Sequence, residues 1–169
     1  MKIKQLIVIA ILLFAGTSWS QAQIKVAHIN SSELMDQLPK VDSIKSQLTK
    51  LSEQYQKTLD AIEAELTNKQ QYWAQFPSKD PEVIELRQKE YQDLVNRYQL
   101  KEQEANQKIA EKQEQLLTPV LEEVKETIQK IAKEKGYNYV LDSSEGSGVI
   151  FSDPKHDLME AVKAALISQ

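Results

Sequence analysis

The feature that most constrains this chain is its long polar middle, roughly Val41 to Ile131, where apolar residues recur at helical spacing. It is broken only once strongly, at Phe76-Pro77-Ser78-Lys79-Asp80-Pro81. Pro39 and Pro119 each lie forty residues from Lys79. Proline belongs at helix starts and kinks, so the symmetry predicts two antiparallel arms of equal length, hinged at residues 77–81. At about 1.5 Å per residue each arm would reach roughly 57 Å. A rod of that kind has no cleft for chemistry; it reaches, holds or spans.

The first arm places apolar residues at Val41, Ile44, Leu48, Leu51, Tyr55 and Leu59, then at Ile62, Leu66, Trp73 and Phe76. The spacing is heptad-like, with one stutter from Tyr55 to Leu59 that would locally unwind a left-handed supercoil. The return arm carries Val83, Ile84, Tyr91, Leu94, Val95 and Tyr98. Between Tyr98 and Leu116 it is poor in large apolar residues, which predicts bending or splaying at mid-arm.

The ends read differently. Lys2, Lys4 and the apolar run Leu6–Ala15 form an export signal, with Ser20 and Ala22 as the small residues before a cut ahead of Gln23. Ten apolar residues span about 15 Å, half a hydrocarbon core, which favours a cleaved leader over an anchor. Ile24–Ile29 alternates as a half-buried strand does. Asn30-Ser31-Ser32-Glu33 has capping-box form ahead of a short helix with Leu34, Met35 and Leu38. From Val120 a firm amphipathic helix runs to Gly136, a glycine at the usual C′ position. Tyr137–Asp142 is the clearest strand, and Val149-Ile150-Phe151 after a Ser/Gly turn is its expected hairpin partner. Asp157–Glu160 is a second capping box, opening a helix with Leu158, Val162, Ala165 and Leu166 on one side.

So few short strands are marginal alone. The body, residues 23–39 and 120–169, is therefore expected to be completed by the same strands of other subunits, with Val26, Ile29, Tyr139, Val140, Leu141, Val149 and Ile150 as candidate oligomer residues. The chain has no cysteine, so no disulfide stabilises it. Loss of Lys2 and Lys4 with the leader takes the formal charge from −4 to −6. With no basic cluster, that argues against nucleic acid as a partner.

Residues 116–142, Leu-Leu-Thr-Pro-Val-Leu through Gly136-Tyr137-Asn138-Tyr139-Val140-Leu141-Asp142, resemble the signature of the Skp/OmpH family of periplasmic chaperones. Lys25–Ser31 resembles that family's first strand and turn, and Asp153–Leu158 its closing helix start. The resemblance covers the chain after the leader, in order. It implies a homotrimer whose strands form a small β-barrel body and whose three helical hairpins, residues 40–119 here, surround a cavity. Unfolded outer-membrane proteins are held there without ATP. One departure concerns charge, because familiar members have basic arms. Residues 40–119 here hold 12 Lys/Arg against 14 Asp/Glu, and residues 69–89 hold four against three. Lipopolysaccharide or membrane-surface binding is therefore doubtful, and apolar contact gains weight in client capture.

Candidate client-contacting residues are Tyr72, Trp73, Phe76, Tyr91 and Tyr98. The three at the tip are read first as an aromatic plug closing the hairpin, a role compatible with one exposed ring face. His28 and His156 lack a ligand pattern, so no metal is expected. Ser143, Ser144 and Ser147 form a turn without a nucleophile elbow, and Glu122-Glu123 reads as a solvated helix face. Neither enzyme nor cofactor is indicated. The fold expected is mainly α with a small β body. The function expected is a periplasmic holdase, and the rival is a structural coiled-coil spacer or adaptor.

Overall fold

The computed structural model describes residues 24–168; the leader expected at residues 1–22 lies outside them. The elements in order are β1 (Val26–Ile29), α1 (Ser31–Asp36), α2 (Pro39–Gln75), α3 (Pro81–Glu134), β2 (Tyr139–Asp142), a 3-10 turn (Pro154–His156) and α4 (Met159–Ile167). The described residues are mainly helical, with one two-stranded sheet among them.

Helices α2 and α3, of 37 and 54 residues, form an antiparallel hairpin about the expected tip. Pro39 and Pro81 stand in the first turn of their helices, where the missing N–H costs nothing. Asp80 caps α3 by accepting from Glu82 N–H at 3.0 Å. Near the tip the symmetry about Lys79 holds to within one residue, since Lys69 pairs with Glu90 at 2.8 Å. At the base Lys40 pairs with Glu123 at 2.7 Å, five residues beyond its symmetric partner, position 118.

Two features of the arm differ from the sequence expectation. The return helix does not pause at Pro119, which lies inside α3. The residue cannot donate to the Gln115 carbonyl, but both positions are exposed, so water can satisfy that carbonyl and the helix continues into the body. On α2 the enclosed positions Ile44, Leu48, Leu51, Tyr55, Leu59, Ile62, Leu66 and Trp73 keep the expected heptad-like spacing with its one stutter from Tyr55 to Leu59, but the seam of α3 is not a heptad. Its more enclosed positions recur every eleven residues: Val83, Leu94, Ala105, Leu116 and Thr127. That period averages 3.67 residues per turn, close to the 3.6 of a straight helix, and does not ask for a left-handed supercoil.

The main core lies in the body. Ala27 and Ile29 of β1, Leu34 of α1, and Leu158, Val162 and Leu166 at α4 pack on Val120, Val124 and Ile131 of α3, together with Val41 and Ile44 of α2. Asn30 caps α1, its Oδ1 accepting from Glu33 N–H at 3.0 Å. The end of α3 is a Schellman motif. Gly136 sits at φ 74°, its N–H donates to Lys133 O at 3.1 Å, and Tyr137 N–H donates to Ala132 O at 2.9 Å. Asp157 accepts from Met159 N–H at 2.8 Å just ahead of α4, but the expected capping box does not form: Leu158 stands at the N-cap, without a side-chain cap bond.

Strands β1 and β2 pair in parallel, Val26 with Tyr139 through Ile29 with Asp142, so the whole hairpin arm is the crossover between them. Val149-Ile150-Phe151 is not a strand and does not pair with β2. The turn at 144–148 leads the chain away from β2, whose second edge is left without a strand among the described residues.

Candidate functional site: the open strand face and the arm flanks

The register of the sheet puts Ala27, Ile29 and Val140 on the inner face and Val26, Tyr139 and Leu141 on the outer one. Ile29 is 2% exposed and Val140 packs against the core, so both are engaged within their own chain. Val26, Tyr139 and Leu141 remain uncovered, and beyond them Ile150 is fully exposed and Phe151 85% exposed. Val149 is half-buried. The outer edge of β1 is occupied in part by Asp157 and Leu158, the latter donating its N–H to His28 O at 3.0 Å. The far edge of β2 has no strand beside it among the described residues. It borders a groove of about 450 Å3 lined by Leu121, Val124, Ile128 and Ala132 of α3 together with Tyr137, Tyr139 and Val140.

His28 lies on the outer face but is buried. Its Nε2–H donates to the Asp153 carbonyl at 3.0 Å, and the Ser143 hydroxyl stands 3.5 Å from Nδ1. It is a satisfied core histidine. His156 meets Tyr137 edge-on, with its Nδ1 3.1 Å from the tyrosine hydroxyl. No cluster of metal-ligating side chains occurs among the described residues.

Asp142, at the end of β2, is a structural carboxylate. Ser31 Oγ donates to its Oδ2 at 2.5 Å, and the N–H groups of Ser144 and Ser31 donate to its Oδ1 at 2.9 and 3.2 Å. Burial works against its ionisation, but these hydrogen bonds outweigh it and hold the carboxyl at about 2. One side chain thus ties the last turn of the sheet to the first turn of α1.

On the arm, Tyr72 and Phe76 stack at 4.9 Å between ring centroids with an angle of 44°, and Lys69 Nζ sits 5.9 Å from the centre of the Trp73 ring. Trp73 is half-buried while Tyr72 and Phe76 remain more than half exposed, so two of the three tip rings present open faces. Tyr91 and Tyr98 do not join it. They line a separate groove of about 360 Å3 with Ile62, Leu66 and Val95, whereas Tyr72 and Trp73 border a wider one of about 780 Å3 with Ala61, Ala64 and Leu86. The five aromatic candidates therefore divide between different places on the hairpin. Leu86 and Leu100, both exposed, were not singled out by sequence reasoning, and Leu121, expected in the apolar pattern of the helix from Val120, is exposed too. The eleven-residue period would have placed them beside the seam and not in it.

A family model described as outer membrane protein (OmpH-like) matches residues 25–166. The chain is 27% identical over 153 residues to the chaperone protein Skp of Vibrio cholerae, covering 87% of this chain and 86% of that protein. A Caulobacter crescentus protein solved as a candidate outer membrane chaperone (OmpH-like) superposes with a TM-score of 0.73 at 20% identity, over 87% of this chain and 86% of that one. The match of the family model along nearly the whole described chain makes this protein a member of the Skp/OmpH-like family.

Proposed function

We propose that this protein is an ATP-independent holdase chaperone of the periplasm, exported through a leader at residues 1–22. It holds unfolded outer-membrane β-barrel proteins between its arms. The observation that carries this reading is the pairing of a long hairpin with a body whose outer sheet face is left apolar and uncovered, at Val26, Tyr139 and Leu141. A free two-stranded sheet with an open edge invites further strands, and the exposed Ile150 and Phe151 of a second copy are suitable occupants. Three copies would close a small barrel and set three hairpins around one cavity. The names of the relatives in Vibrio cholerae and Caulobacter crescentus support the same assignment.

Holding by such arms needs no fixed pose. Each contact is weak, and several arms acting on one client raise the overall affinity through avidity. The thirteen glutamines of residues 40–119 offer adaptable donors and acceptors without charge. The test is light scattering during dilution of several unrelated, urea-unfolded outer-membrane proteins into buffer containing this protein. Suppression of aggregation for all of them is the expected result. No suppression, together with capture of one folded envelope partner, would establish the rival role of spacer or adaptor.

A further inference from the structure

The two flanks of α3 differ in kind. Its Tyr91, Val95, Tyr98 and Gln99 lie on one side of the seam, in a groove whose charged members are Glu63 of α2 and Glu102; Arg97, Leu100, Lys101 and Glu104 line a groove on the other side with Thr58, Ala61 and Ile62 of α2. Following α3 from the first groove in steps of three and four residues gives a row from Ile84 through Tyr91, Val95 and Gln99 to Ala132 in which only Glu102 and Lys125 are charged. The matching row on the opposite flank, from Glu82 through Arg97 to Lys130, is charged everywhere except at Leu86, Leu100, Gln115 and Pro119. Ion pairs tie up part of that second flank: Arg97 with Glu65, Lys101 with Glu104, and Lys108 with Glu111, each at 2.7 Å. The uncharged row does not stop at the arm. It runs into the body groove through Leu121, Ile128 and Ala132, beside the open edge of β2.

We infer that the uncharged flank of α3 is the track on which extended, unfolded polypeptide is held, and that the ion-paired flank faces solvent. This rests on the holdase reading and assigns its client surface. The chemistry of the row selects the occupant. Tyrosine, valine, isoleucine and leucine along it meet the apolar side chains that alternate in an unfolded β-strand. The amides of Gln88, Gln99, Asn106 and Gln113 between them can donate to and accept from a client backbone that has lost its ladder partners. A second copy's helix is a poorer occupant. Packing helix on helix would bury those amides against side chains without backbone partners, at a cost for each unsatisfied group. The same division separates the aromatic candidates. Tyr91 and Tyr98 belong to the track, while Tyr72 lies in a groove on the charged flank.

The test places a photo-crosslinking amino acid at Gln88, Gln99 or Gln113 on the track, and at Lys89, Leu100 or Glu111 on the other flank. All six positions are exposed, and the two sets lie within one or two residues of each other along the helix. The exported protein is mixed with an outer-membrane β-barrel protein diluted from urea, irradiated, and the adducts are counted. Client cross-links about tenfold more frequent from the first set are expected, and charging the track with Gln88→Glu and Gln99→Glu should weaken holding while Leu100→Glu changes it less than about twofold. Equal yields from both flanks, a preference for the charged one, or adducts joining two copies of this chain would overturn the assignment while leaving aggregation suppression intact. Absence of suppression would overturn the assignment and the holdase reading together.

Discussion

At the scale of single residues, the body is fastened at a few points that titration and substitution can address. The Asp142 carboxyl is held at about 2, below its ordinary 3.8. Its stabilisation is therefore complete above about pH 4 and lost as pH falls through about 2. A shift of that size corresponds to about 2.5 kcal/mol, which solvent exposure of the side chain discounts to about 1 kcal/mol. Urea midpoints should accordingly fall between pH 4 and pH 2 in the native protein, and much less over that window in Asp142→Asn. Gly136→Ala tests a different cause. A Cβ there would meet nothing within 4 Å, so space is not limiting, but φ is +74°. The expected loss is about 1 kcal/mol from backbone strain alone, read from the same midpoints. Both residues could be placed from sequence, Gly136 as a C′ glycine and Asp142 as the strand's end. The two hydrogen bonds from Ser31 could not, since Ser31 is distant in sequence and meets the carboxyl only through the parallel sheet; the third, from Ser144, is local.

At the scale of elements, the weak seam expected between Tyr98 and Leu116 has a counterpart across the hairpin. No residue of α2 between Ile44 and Leu59 is buried, and on α3 between Leu94 and Val120 only Ala105 is. These two stretches face each other in the antiparallel register, so the arm has a waist between its distal cluster and the body. Few buried apolar contacts allow easy local opening. Amide exchange should then be faster around residues 46–57 and 107–117 than at Leu59, Ile62 and Leu94, and slowest at Ala27–Ile29 and Val124–Ile131. Uniform protection along α2 and α3 would indicate a rigid rod. The helices, their caps and the hinge were legible because prolines and capping residues act locally. Two things were not. The eleven-residue period of α3 emerges only when burial separates seam from flank, and the failure of Val149-Ile150-Phe151 to pair reflects where the turn at 144–148 carries the chain, since one edge of β2 stays open.

At the scale of the whole molecule, uncovered apolar sheet and near-neutral arms lead to linked expectations. The outer face of Val26, Tyr139 and Leu141 with exposed Ile150 and Phe151 should bring copies together, and sedimentation at micromolar concentration should find a trimer. Ile150→Ser with Phe151→Ser should shift it toward monomer without unfolding the arm, since neither side chain contributes to the core. Client holding by the assembled molecule should then depend little on salt. Residues 40–119 carry 12 basic against 14 acidic side chains, and part of the charged flank is already paired within the chain. Raising salt from 50 to 500 mM shortens the Debye length from about 14 Å to about 4 Å, which removes most attraction between exposed charges. Affinity for an unfolded outer-membrane protein, measured by fluorescence titration, should change only several-fold across that range. A hundredfold loss would mean that the ion-paired flank exchanges its internal partners for charges on the client, so that capture is electrostatic despite the balance of charge along the arms.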